Sequence, residues 1–192
     1  RDKPALAKRF AYDRNFFELR LDPYFGATAK VHTDCATQLQ TLIEKTAGNR
    51  ITLIHGDISP KNILAGPTGP IFLDAECAVY GDPAFDAAFC LTHLIAKCLW
   101  RPASTEDYLT CFDAFASHYL AGVTWEAGAA IEARTATLLA AILLARVDGK
   151  SPLEYLTESD RAQLRAFARH WVLSPPNRLA DLRAAWKEEL AS

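Results

Sequence analysis

His55-Gly56-Asp57-Ile58-Ser59-Pro60-Lys61-Asn62 and, further on, Leu73-Asp74-Ala75-Glu76 decide how this chain reads. Asn62 follows Asp57 by five residues, and Asp74 follows Asn62 by twelve. Apolar runs frame the polar groups. Ile51-Thr52-Leu53-Ile54 leads straight into His55, while Ile63-Leu64-Ala65 and Ile71-Phe72-Leu73 enclose Gly66-Pro67-Thr68-Gly69-Pro70. Two short β-type runs around a Gly/Pro turn predict an antiparallel hairpin. Asn62 enters its first strand and Asp74 leaves its second, so pairing brings both to one end. A carboxylate, an amide and a second carboxylate in this order suit phosphoryl transfer from a nucleotide. One carboxylate serves the attacking hydroxyl, and two hard oxygen ligands hold Mg²⁺ on the phosphates. Taken singly, each of the three also suits a turn or a strand end; the joint spacing singles out the chemistry.

Outside this cluster the period becomes helical. Pro4 to Leu21, with Leu6, Phe10, Phe16, Phe17 and Leu21, predicts a helix closed by Asp22-Pro23. Thr33 to Ala47 predicts a second, capped by Thr33 or Asp34, with Leu39, Leu42 and Ile43 on its apolar face. Downstream, Asp82 caps a helix that begins at Pro83 and runs to about Leu99. Further helices are expected over Thr105 to Ala121, Glu126 to Val147, Ser159 to Trp171 and Asn177 to Leu190, with Gly149 stopping the longest.

Composition bounds the function classes. With 192 residues, 50% apolar and 23% charged, the chain suits one domain or one large lobe. Its net charge of -2 offers no footprint for nucleic acid and no basic run for a membrane surface. The apolar stretch from Ala136 to Ala145 is too short to span a bilayer. Five cysteines without a C-x-x-C pair predict buried, reduced thiols and a cytoplasmic setting. Cys90 and His93, three apart on a helix, suit a packed face better than a metal pair.

The linked string His55-Gly56-Asp57-x-x-x-x-Asn62, Asp74-x-Glu76 and Gly81-Asp82-Pro83-x-x-Asp86 resembles the aminoglycoside phosphotransferase family. These small-molecule kinases include choline kinase-like and methylthioribose kinase-like enzymes. The resemblance runs through the chain, Arg146-Val147-Asp148-Gly149-Lys150-Ser151-Pro152 included. It implies an α+β, mostly helical fold: the C-terminal lobe of a protein kinase-like architecture, with a small β-hairpin carrying the metal site. It also implies roles. Asp57 would orient the substrate hydroxyl and accept its proton, and Asn62 and Asp74 would ligate Mg²⁺. Leu64 and Leu73 would floor the adenine of ATP. His55 would hold the loop by a hydrogen bond, and Asp86 would stiffen it from the following helix. Glu76 is open between a second-metal or ligand-supporting role and a surface carboxylate. Ser59 and Lys61 face either the phosphate region or solvent. Ala75 departs from relatives that often carry an aromatic residue there.

Nothing before Ile51 reads as a five-stranded sheet or a Gly-rich loop, and neither Lys3 nor Lys8 has a strand context. The expectation is therefore a C-terminal catalytic and substrate lobe over residues 1–192, without an N-terminal ATP-clamping lobe. The expected activity is ATP- and Mg²⁺-dependent O-phosphorylation of a small molecule; the alternative is a truncated, non-catalytic binding module. From Arg101 onward twelve acidic and ten basic residues show no acidic bias for a polycationic aminoglycoside. Trp100, Trp125 and Trp171 are open between stacking on a sugar or cation and packing in the core.

Overall fold

The computed structural model describes residues 4–11 and 14–191; Lys3 lies outside them. Before Thr52 every described element is helical. These are α1 (Pro4–Arg9), α2 (Arg14–Phe16), a π-helix (Phe17–Gly26), α3 (Ala27–Val31), a 3₁₀ turn (Thr33–Cys35) and α4 (Ala36–Gly48). Lys8 sits in α1. The expected stop at Asp22-Pro23 does not occur, because Pro23 lies inside the π-helix. The wider i→i+5 turn draws back the carbonyls that a proline ring strikes in a regular α-helix. Pro23 uses its own carbonyl instead, which accepts the Lys150 N–H at 3.0 Å. The break comes earlier, at Phe10, whose carbonyl accepts the Tyr80 N–H at 2.7 Å.

Four short strands follow: β1 (Thr52–Ile54), β2 (Ile63–Gly66), β3 (Gly69–Phe72) and β4 (Val79–Gly81). β2 and β3 form the expected antiparallel hairpin, in register from Ile63 opposite Phe72 to Gly66 opposite Gly69. Its turn is tighter than the Gly/Pro run suggests, since Gly66, Gly69 and Pro70 all pair within the ladder. β4 has too little apolar sequence to announce itself, and it forms because β1 offers an antiparallel edge. Gly81 makes the approach possible: a Cβ there would stand 3.0 Å from Ile54 Cδ1.

The rest is a helical body of α5 (Pro83–Trp100), α6 (Thr105–Ala121), α7 (Gly128–Asp148), α8 (Glu158–Leu173) and α9 (Leu179–Glu189). Its middle is α7, buried from Leu138 through Ala145 and packed against α5 and α8. At 21 residues this helix is long and apolar enough to cross a membrane, which corrects the shorter apolar span read from the sequence. Here 61% of its apolar window is buried inside the fold, as for a core helix. The start of α5 is pinned from three sides. Asp82 caps Ala84 N–H at 3.0 Å, takes Asn49 Nδ2 at 2.7 Å and pairs with Arg134 Nε at 3.1 Å. Arg134 in turn grips Glu126, which lies just ahead of α7 rather than within it. Thr157 and Asp160 close a capping box that starts α8. All five cysteines are free, and Cys111 alone among them is exposed. The whole is a mostly helical body carrying two small antiparallel sheets, compatible with an α+β kinase-like lobe.

Candidate active site

β1 delivers the chain into His55-Gly56-Asp57, and the loop turns there because Gly56 adopts φ 77°. That left-handed conformation costs an L side chain about 1–2 kcal/mol. A Cβ at Gly56 would also come within 2.7 Å of the Cys77 carbonyl oxygen. Asp86, one turn into α5, ties the loop down. Its Oδ2 accepts the His55 N–H at 2.7 Å and its Oδ1 the Gly56 N–H at 2.8 Å. Burial raises the Asp86 carboxyl above the usual carboxylate range, against the pull of those two N–H donors.

His55 spans the loop and the hairpin. Its Nδ1 stands 3.2 Å from the Asp57 N–H and must accept from it, so Nε2 carries the proton and donates to the Leu73 carbonyl at 2.9 Å. The Leu73 N–H meanwhile donates to the Asn62 carbonyl at 2.9 Å, one step beyond the ladder. The hairpin thus brings Asn62 and the segment Leu73-Asp74 to one end.

Asp57 is buried, 8% exposed, and is held through one oxygen. Asn62 Nδ2 donates to Oδ2 at 3.0 Å, and Arg20 approaches the same Oδ2 at 3.2 Å. Arg20 also donates through Nε to the Gly56 carbonyl at 2.6 Å, which fixes the guanidinium beside the loop. Oδ1 takes part in neither carboxylate contact. Asp74 follows β3 with φ 64°, the only positive φ outside glycine among the described residues. An aspartate tolerates this region better than most residues, yet such a conformation persists only where its surroundings impose it.

The other expected positions divide. Leu64 and Leu73 stand open, 49% and 41% exposed, beside the equally open Ile71 and Phe72. Glu76 is exposed. Ser59 is buried, and its hydroxyl has no hydrogen-bond partner. Lys61 turns to a cavity of about 540 Å³ that also has Asp57 in its wall. None of Trp100, Trp125 and Trp171 lines this cavity; its aromatic walls are Tyr24, Phe89 and Tyr155. His93 lines it too, and burial followed by the nearby charges of Arg146, Lys97 and Lys61 brings its pKa down to about 3, leaving the ring uncharged at neutral pH. Burial pushes the Tyr155 phenol up to about 12.

Arg20, Tyr24 and Arg146 line the cavity beside Asp57, and sequence reasoning did not place them there. Arg20 and Tyr24 lie on the π-helix, far from any motif, and only its packing against the Gly56 loop reveals them. Arg146 belongs to a stretch already noted for its resemblance, but no spacing tied it to Asp57.

The family model described as phosphotransferase enzyme family matches residues 4–131, about two thirds of the chain. It takes in Arg20, the Asp57 loop, the hairpin and α5, and stops within α7. No curated protein matches the chain.

Proposed function

The chain belongs to the phosphotransferase enzyme family, and from that membership we propose that it moves the γ-phosphoryl of ATP onto a hydroxyl of a small molecule. One observation carries the proposal. Asp57 is gripped through Oδ2 by Arg20 and Asn62, while Oδ1 is left out of both contacts in the wall of a cavity. A carboxylate so fixed is preorganised to receive a hydroxyl on the remaining oxygen, to aim it, and to take its proton as the phosphoryl moves. Positioning of this kind removes much of the entropic part of a bimolecular barrier.

Mg²⁺ fits the donor set. The Asn62 Nδ2 is committed to Asp57, so the amide oxygen is turned away from that contact and remains for a cation. Asp74 offers an exposed carboxylate at the same hairpin end. Among the described residues no three His, Cys, Asp or Glu gather into a cage. Asn62 and Asp74 would therefore hold the ion by two oxygens, with phosphate and water oxygens completing its shell. When bound, Mg²⁺ neutralises charge on the phosphates. The exposed Leu64 and Leu73 would supply the apolar surface for adenine.

The experiment is ADP release from Mg·ATP across a library of hydroxylated small molecules. The reading requires that at least one acceptor stimulate release and be recovered as a phosphate monoester. Magnesium-independent release, or release without any phosphorylated product, contradicts it.

A further inference from the structure

The cavity beside Asp57 has a charge that composition hides. Four cations line it, Arg20, Lys61, Arg146 and Lys150, against two carboxylates, Asp57 and Glu154. Arg20 is spent on Asp57. Arg146 reaches in from the end of α7 and is anchored by its Nη1, which donates to the Ser151 carbonyl at 2.5 Å and approaches the Tyr24 hydroxyl at 3.2 Å. Its Nε is buried without a hydrogen-bond partner, and so is the hydroxyl of Tyr155 across the same cavity. Both atoms are sealed from the cavity by the protein around them, whereas the Arg146 Nη2 takes part in neither of the two anchoring contacts. Lys150, exposed, stands one turn beyond Arg146.

We propose that this cavity selects an acceptor that carries an anionic group, a carboxylate or a phosphate, on its hydroxylated skeleton. The anion lies against Arg146 and Lys150, and the acceptor hydroxyl lies against Asp57. Tyr24 and Phe89 give the apolar wall for the carbon skeleton. A volume of about 540 Å³ suits a small metabolite. Polycations are excluded by the same charges, since a like-charged ligand gains nothing there. Arg146 and Lys150 lie beyond the residues that the family model matches, so family membership alone does not carry this preference. The proposal rests on the phosphotransferase reading for the site's location, but binding tests it without turnover.

The test titrates the protein with D-glucuronate, D-glucose and D-glucosamine, three sugars of one size and different charge, by ligand-observed NMR without nucleotide. Glucuronate should bind at least about tenfold more tightly than glucosamine, and Arg146→Gln and Lys150→Gln should each weaken it by about tenfold. Lys150→Gln changes an exposed residue, which keeps the test decisive if Arg146→Gln fails to fold. A preference for glucosamine, equal binding of all three, binding of none, or an unchanged glucuronate affinity in Lys150→Gln would overturn the proposal. Mg·ATP titrated into the same variants separates the two sources of anion. Affinity lost for Mg·ATP alone would assign these cations to the donor's phosphates and overturn it as well. Failure of ATP turnover with glucuronate binding intact would count against the phosphotransferase reading only.

Discussion

Asp86 Oδ1 accepts the backbone N–H of Gly56 at 2.8 Å, and this contact joins α5 to the loop that carries Asp57. The other oxygen of the same carboxylate takes the His55 N–H at 2.7 Å. Both donors precede Asp57 directly, so the position of its side chain is set from thirty residues downstream. Asp86→Ala leaves two N–H groups unmet. At about 1–3 kcal/mol each the expected loss is near 3 kcal/mol, or roughly 6–12 °C in Tm for a chain of this size. Loop displacement should also lower kcat about 100-fold, as for other losses of positioning. Thermal melting and turnover on one preparation check both; a Tm within 1–2 °C of the parent would show that Asp86 does not hold the loop.

Asp74 should separate stability from activity. Its left-handed backbone is tolerated by Asn as well as by Asp. Asp74→Asn is therefore expected to keep the parent's Tm within about 2 °C, while phosphoryl transfer falls about 100-fold or more through loss of a charged oxygen. Raising the Mg²⁺ concentration should recover part of the loss. Full activity at ordinary Mg²⁺ would remove Asp74 from the site.

His93 predicts an acid limb of stability. Burial, then the charges of Arg146, Lys97 and Lys61, lowers its pKa from the ordinary 6.5 to about 3. Between those values the unfolded chain binds a proton that the folded chain does not, so stability is complete above 6.5 and falls steadily as pH drops toward 3. His93→Gln, which does not titrate, should flatten the decline between pH 6.5 and 4.5, above the range where ordinary carboxylates protonate. Denaturation midpoints for both proteins across that window give the answer. Parallel curves would place the ring in contact with solvent.

Much of the fold was legible because its signals are local. Pro83 behind Asp82 marked the start of α5, and the helix expected over Thr105 to Ala121 forms with those bounds. The hairpin followed from two apolar runs and a Gly/Pro turn. What escaped depends on partners distant in the chain. Val79-Tyr80-Gly81 becomes a strand only beside β1, and Pro23 continues a helix only because π geometry admits it. The site divides in the same way. Asp57, Asn62 and Asp74 sit at a spacing that states their relation, whereas Arg20 meets Asp57 across 37 positions through packing alone. The cavity's charge was invisible for a related reason. Twelve acids against ten bases from Arg101 onward average to nothing, yet Arg146 and Lys150 converge on one wall, while Glu126 and Asp148 are turned to Arg134 and Arg165 elsewhere.

The central claim is that Asp57 serves the acceptor hydroxyl during phosphoryl transfer. Its most direct test compares the protein with its Asp57→Asn variant, reading transfer of labelled γ-phosphoryl to the acceptor together with Mg·ATP affinity. Loss of a positioned general base is worth about 10²–10⁴ in rate. The account predicts a loss of that size in transfer with Mg·ATP affinity changed less than about threefold, because Asn62 and Asp74 rather than Asp57 would hold the metal. Transfer at the parent's rate by Asp57→Asn would contradict it.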